Sequence, residues 1–125
     1  MTDAPRAALR TADELVLVTR GRRTGRPHQT TLWFAYDGDA VWLRTDATTD
    51  WYRNLVREPR CRLRVDGHEL DAIREEVADT MSALRDLVGL WRDKYGQEWV
   101  ADWYVEPGRV PVRLRIVGSR VAAAE

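Results

Sequence analysis

The spacing of apolar residues changes period several times along the chain. Residues 14–20 (ELVLVTR) are apolar and β-branched, the composition of a buried strand. Residues 28–37 (HQTTLWFAYD) alternate, which puts Thr30, Leu32, Phe34 and Tyr36 on one face. Asp37-Gly38 signals a two-residue hairpin, and residues 40–45 read as the returning strand. Residues 50–59 switch to helical period, with Asp50 as N-cap, Trp51, Leu55 and Val56 on one side, and Pro59 as the stop. Residues 60–66 alternate strictly: Cys61, Leu63 and Val65 point one way, Arg60, Arg62 and Arg64 the other. Gly67 makes a turn into a strand over residues 68–77. Residues 78–95 are again helical, with Met81, Leu84, Leu87, Val88, Trp91 and Tyr95 as the apolar stripe. A second short helix is predicted over residues 98–105 and a last alternating strand over residues 110–118. Residues 1–12 read as a short helix or arm, and residues 119–125 as a loose tail.

Sequential hairpins with few helices argue against a doubly wound parallel sheet. They predict a mainly β, α+β chain: a small antiparallel barrel with helices at its ends. At 125 residues, with no internal repeat or linker, one domain over residues 1–125 is expected.

Charge sharpens this picture. Net charge is zero, but residues 1–65 carry 12 basic against 8 acidic side chains and residues 66–125 carry 8 against 12. That balance argues against a nucleic-acid binder, as does the lack of aromatics between Arg60, Arg62 and Arg64. Lys94 is the only lysine, so nearly every cation is a planar guanidinium suited to phosphate or carboxylate. One cysteine, Cys61, gives neither a disulfide framework nor a metal spacing. No signal peptide or membrane span is visible, so a cytoplasmic setting is expected.

The chain has little chemistry of its own. It lacks a nucleophile elbow, its two histidines do not form a metal constellation, and Glu75 and Glu76 read as a solvated edge. Catalysis would need a cofactor. Gly21-Arg22-Arg23-Thr24-Gly25-Arg26-Pro27 offers one a place: glycine amides close on phosphate oxygens and the arginines add charge-assisted hydrogen bonds. The same stretch also reads as a solvated, arginine-rich hairpin.

The motifs GRRTGRP, LWFAYDGDAVWLRT and DWYRNLVREP, in this order and spacing, resemble the split β-barrel oxidoreductases of the pyridoxamine-phosphate-oxidase-like superfamily. Within it the chain is most similar to the deazaflavin (F420)-dependent nitroreductase and quinone reductase family. The resemblance spans about residues 15–66. It implies a split barrel that binds F420 and passes a hydride to a flat apolar acceptor: a quinone, nitroaromatic or enone. By the resemblance, Arg22 and Arg23 lie near the cofactor's phosphate and acidic tail, and Thr24 and Gly25 form the amide-donating turn. Trp51 and Asn54 wall and hold the ring or tail, and Leu32 and Trp33 pass the ring system. Arg26, Pro27 and His28 complete the set. Trp51 reads equally as a helix residue packed into the barrel.

The chain departs from the family pattern where His28 stands for arginine, Arg23 for lysine and Thr31 for proline. The loop over residues 46–50 is short and lacks a lysine. These departures make FMN the competing cofactor. A carrier or sensor of another class is the second reading, with His28 as a ligand to haem. Tyr36, Tyr52, Tyr95 and Tyr104 are candidate proton donors, and no catalytic residue stands out. Trp91, Tyr95, Trp99, Trp103 and Tyr104 could line the acceptor side or simply pack. Split barrels often pair, and the arginine-faced strand beside the acidic segments reads either as the contact of a homodimer or equally as solvated surface.

Overall fold

The structure, a computed structural model, describes residues 3–96 and 109–121. Helix α1 (Asp3–Thr11) leads into β1 (Glu14–Arg20), β2 (Pro27–Trp33), β3 (Ala35–Tyr36) and β4 (Ala40–Asp46). Helix α2 (Asp50–Arg57), β5 (Arg60–Val65), β6 (His68–Glu75), α3 (Thr80–Tyr95) and β7 (Arg109–Val121) follow. The seven strands form one antiparallel sheet in the order β2-β1-β5-β6-β7-β4-β3.

That order contains the reason for the curl. Strands β2 and β3 are the two outer edges, yet only Phe34 separates them in the chain. A flat seven-stranded sheet would hold its edges roughly 30 Å apart at normal strand spacing. One residue cannot span that distance, so the sheet rolls until its edges meet: the split barrel of the expected α+β class. The alternating run of residues 28–37 is therefore two strands broken at Phe34. Phe34 and Ala35 are both buried, in different clusters, because the chain changes edges there.

The interior is built from alternate residues of the strands. Leu15, Leu17, Val41, Leu43, Leu63, Leu70 and Leu114 are each at most 2% exposed. Each such side chain contributes about 2 kcal/mol of transfer free energy. Helix α1 adds Ala8 and Leu9 to this cluster, Ala12 follows just beyond its end, and α2 adds Trp51 and Leu55. Helix α3 packs on a separate outer cluster, where Leu87, Val88 and Trp91 meet Ala35 with Trp33, Trp42 and Tyr95 around them.

Several details differ from the pattern. Residue 49, not Asp50, is the N-cap of α2, and Thr49 makes no side-chain capping bond. Val56 is 55% exposed and Met81 42% exposed, so the buried faces are Trp51, Asn54 and Leu55 on α2 and Leu84, Leu87, Val88 and Trp91 on α3. Asp37-Gly38 lies in a longer loop whose Asp37 carboxylate accepts from the amides of Asp39 and Ala40. The two-residue turn is instead Asp66-Gly67, both at positive φ (46° and 79°), with Val65 paired to His68. Strand β7 continues to Val121, into the expected tail, because Ser119 and Arg120 pair with Leu70 and Glu69. Glu75 is no solvated edge: it lies on β6, inside the sheet, bridging Arg113 and Arg115. The helix expected over residues 98–105, with Trp99, Trp103 and Tyr104, lies outside the described residues.

Candidate functional site

The turn between β1 and β2 is a closed unit. The Gly21 amide donates to the Arg26 carbonyl at 2.8 Å, and the Gly25 amide donates to the Gly21 carbonyl at 2.8 Å. The Thr24 hydroxyl accepts from the Arg26 amide at 3.1 Å. Both glycines are required. Gly25 sits at φ +72°, and a Cβ on Gly21 would lie 2.9 Å from Thr24 Oγ1 and 3.1 Å from the Arg26 carbonyl oxygen. The amides of Arg23 and Thr24, by contrast, donate to nothing among the described residues.

Helix α2 holds this turn through one asparagine. Asn54, 3% exposed, accepts from the Arg22 amide at 3.1 Å and from Arg22 Nη1 at 2.9 Å. Its own amide donates to the buried Thr19 hydroxyl at 3.3 Å. The other arm of the Arg22 guanidinium pairs with Asp50 at 3.1 Å, and that hydrogen bond holds the Asp50 carboxyl below its ordinary range. Arg22 is therefore oriented against α2 and only 17% exposed, whereas Arg23 and Arg26 project into solvent.

Two adjoining clefts flank the turn. The first, about 440 Å³, is lined by Arg20, Gly21, Arg22, Arg23, Thr24, Gly25, Arg57 and Glu58. Four guanidiniums face one carboxylate there, and Glu58 is already engaged by Arg60 at 2.6 Å, which depresses its carboxyl. Arg20, Arg23 and Arg57 have no carboxylate within 4.0 Å among the described residues. The second cleft, also about 440 Å³, shares Arg20 and Gly25 and adds Pro27, Arg60, Arg62 and Asp71 over a floor of Val18 and Cys61. Burial, with Asp71 adding to it, pushes the Cys61 thiol up to about 12, so it stays protonated and is no nucleophile. The arrangement is a strongly cationic surface able to hold an extended anion.

The structure brings Arg22, Arg23, Thr24, Gly25 and Asn54 together at this turn, with Pro27 on the second cleft. Arg26 and His28 are exposed beside it and line neither cleft. Leu32, Trp33 and Trp51 are elsewhere. Trp51 is 6% exposed in the barrel core, against which Leu32 packs. Trp33 is at the far end of β2, stacked on Tyr95 with ring centroids 4.1 Å apart. Arg20 and Arg57 were not legible as site residues. Each is a single arginine at the end of its element, and only the fold brings them to the turn.

Among the tyrosines, Tyr36, Tyr52 and Tyr95 line neither cleft. The Tyr95 hydroxyl donates to the Asp13 carbonyl at 2.5 Å and accepts from the Phe34 amide at 3.3 Å. Arg60, Arg62 and Arg64, read as either a dimer contact or solvated surface, pair within the chain with Glu58, Asp71 and Glu69. No helix among the described residues is long and apolar enough to cross a membrane.

A sequence model of the F420H(2)-dependent quinone reductase family matches residues 5–106. No curated protein matches. Among solved structures, one named F420 reductase superposes with a TM-score of 0.74 at 19% identity, covering 92% of this chain and 94% of its own. A conserved hypothetical protein from Mycobacterium tuberculosis superposes with a TM-score of 0.74 at 26% identity, covering 96% and 83%. The heme storage protein HutZ from Vibrio cholerae gives 0.76 at 16% identity, covering 95% and 92%.

Proposed function

Since the chain belongs to the F420H(2)-dependent quinone reductase family, we propose that it passes a hydride from reduced F420 to a flat apolar acceptor such as a quinone, nitroaromatic or enone. The observation that carries the choice of coenzyme is the pair of adjoining clefts, which share Arg20 and together present Arg20, Arg22, Arg23, Arg57, Arg60 and Arg62. A terminal phosphate such as that of FMN needs two or three of these donors. An elongated polyanion with a phosphodiester and an acidic tail extends along the row, where Arg22, Arg60 and Arg62 are paired with Asp50, Glu58 and Asp71 and Arg20, Arg23 and Arg57 have no carboxylate partner among the described residues.

The donor set fits such a group. Arg22, whose two Nη atoms are held by Asp50 and Asn54, fixes the turn, and Arg20, Arg23 and Arg57 supply charge that no carboxylate within 4.0 Å among the described residues satisfies. The amides of Arg23 and Thr24 add uncharged donors on a turn already closed by its own hydrogen bonds. Bound there, a reduced deazaflavin supplies a two-electron hydride donor. The chain's contribution is to orient it and to compensate its charge without reorganisation.

The test is a titration with F420 and FMN side by side, followed by oxidation of reduced F420 in the presence of menadione. F420 is expected to bind at least about tenfold more tightly, a difference of about 1.4 kcal/mol. Tighter binding of FMN would overturn the coenzyme choice while keeping the site. Binding of neither would overturn both.

A further inference from the structure

One ion pair joins the two clefts. Glu58 lines the first and Arg60 the second, and Arg60 Nε donates to Glu58 Oε1 at 2.6 Å. The main chain fixes both partners. The Glu58 amide ends α2 by donating to the Asn54 carbonyl at 2.8 Å, and the carbonyl of the intervening Pro59 accepts from the Arg74 amide at 2.9 Å. The Arg60 hydrogen bond holds the Glu58 carboxyl below its ordinary range, and Arg20, which lines both clefts, adds to this. The one carboxylate on the first cleft is therefore turned toward an arginine of the second. The pair itself lies at the surface, with the Arg60 side chain 77% exposed and that of Glu58 28% exposed. A pair of this kind is weakly held, so a ligand carboxylate can exchange for Glu58 while the backbone around it stays in place.

We propose, resting on the coenzyme reading above, that Glu58 is a specificity-determining residue: it occupies the guanidinium that the next carboxylate of an acidic tail would take, and so limits what the chain gains from a longer tail. A coenzyme with a single acidic unit stays in the first cleft, on Arg20, Arg23 and Arg57, and leaves the Glu58–Arg60 pair closed. A longer tail reaches the second cleft, where Glu58 holds Arg60 and Asp71 holds Arg62. Its next carboxylate takes Arg60 only by displacing Glu58, which then stands unpaired from Arg60 beside the incoming negative charge. Attraction to the guanidinium is offset by that repulsion, and lengthening the tail adds little affinity. Glu58 acts here through Arg60 and touches no reacting atom.

The experiment titrates the full chain at low salt with F420 carrying a single glutamate and with F420 carrying an oligoglutamate tail, and reads the ratio of the two affinities. In the parent the ratio is expected to be close to one. Glu58→Gln keeps the shape of the side chain and removes its charge. It should shift the ratio toward the oligoglutamate form by about three- to fivefold, the upper span of an exposed ion pair. In an Arg60→Ala background the same substitution should leave the ratio where it was, because no guanidinium remains to be released. A charge acting only from a distance would shift it in both backgrounds. Thermal melting checks that each variant folds. A Glu58→Gln protein with the parent's ratio would overturn the proposal, as would a shift that survives Arg60→Ala. A parent that binds neither form would overturn the coenzyme reading itself, and the proposal with it.

Discussion

Asn54 is a small residue with a large share of the turn's geometry. It accepts twice from Arg22 and donates to Thr19 while almost fully buried. Asn54→Ala removes all three bonds and leaves the Arg22 amide and the Thr19 hydroxyl without this partner. The expected cost is about 2–3 kcal/mol, read as a lowered urea midpoint, together with weaker F420 binding. Arg22 and Arg23 separate the two effects. Arg22→Ala should lower both melting temperature and affinity, because its guanidinium also ties the turn to α2. Arg23→Ala should cost about tenfold in affinity with no change in melting, because its side chain is exposed and has no carboxylate within 4.0 Å among the described residues. The sequence showed both arginines as equivalent members of one exposed bend. The difference between them lies in which one the helix reaches, a contact 32 residues away in the chain. Lys94 gives a pH prediction. Its pKa is depressed on folding to about 8, so the folded state binds fewer protons than the unfolded chain above that pH. Stability therefore rises between about pH 8 and the ordinary lysine range. Burial raises the Tyr95 phenol to about 12, with the Phe34 hydrogen bond opposing and Asp13 and Glu14 adding to it, so its contribution is lost on going from pH 10 towards 12. Melting temperature against pH should pass through an alkaline maximum, and Lys94→Met should abolish the rising limb.

The elements divide by how local their causes are. Strand β5 was legible because strict alternation is its own cause: Cys61, Leu63 and Val65 face the core in any partner arrangement. The end of β7 was not legible. Gly118, Ser119 and Arg120 lack strand character and are held only because β6 supplies Asp71, Leu70 and Glu69 opposite them. The break at Phe34 was hidden for a related reason, since Thr30, Leu32, Phe34 and Tyr36 keep period two across it while the chain passes between sheet edges. The same division applies to the site. The glycine spacing of the β1–β2 turn is local chemistry and was visible, whereas Arg20 and Arg57 meet only after α2 docks. The turn can be tested at this scale. Gly21→Ala forces a Cβ against the Arg26 backbone and should displace the amides of the turn. Gly25→Ala places alanine at φ +72° at a cost of about 1 kcal/mol. Calorimetric titration with F420 should show the larger loss of affinity for Gly21→Ala, since it moves backbone donors as well as adding strain.

For the molecule as a whole, zero net charge conceals a marked asymmetry: the cationic clefts are offset by an acidic excess elsewhere, residues 66–125 carrying 8 basic against 12 acidic side chains. Attraction of an anion to them is screened by salt, with a Debye length near 8 Å at physiological ionic strength and about 3 Å at 1 M. The dissociation constant for F420 should therefore climb steeply from low salt to molar salt, and an affinity indifferent to salt would place the contact elsewhere. The rolled sheet has a further outcome. Its two margins are kept together by one covalent residue, Phe34, plus the side chains that grip its carbonyl and amide from α3. A circular permutant opened between Trp33 and Phe34, with residues 1 and 125 joined by a linker, would keep every hydrogen-bonded ladder intact yet lose that tether. It should unfurl at a lower temperature than the parent and expose two unsatisfied borders, so that it gathers into strand-paired aggregates where the parent stays dispersed.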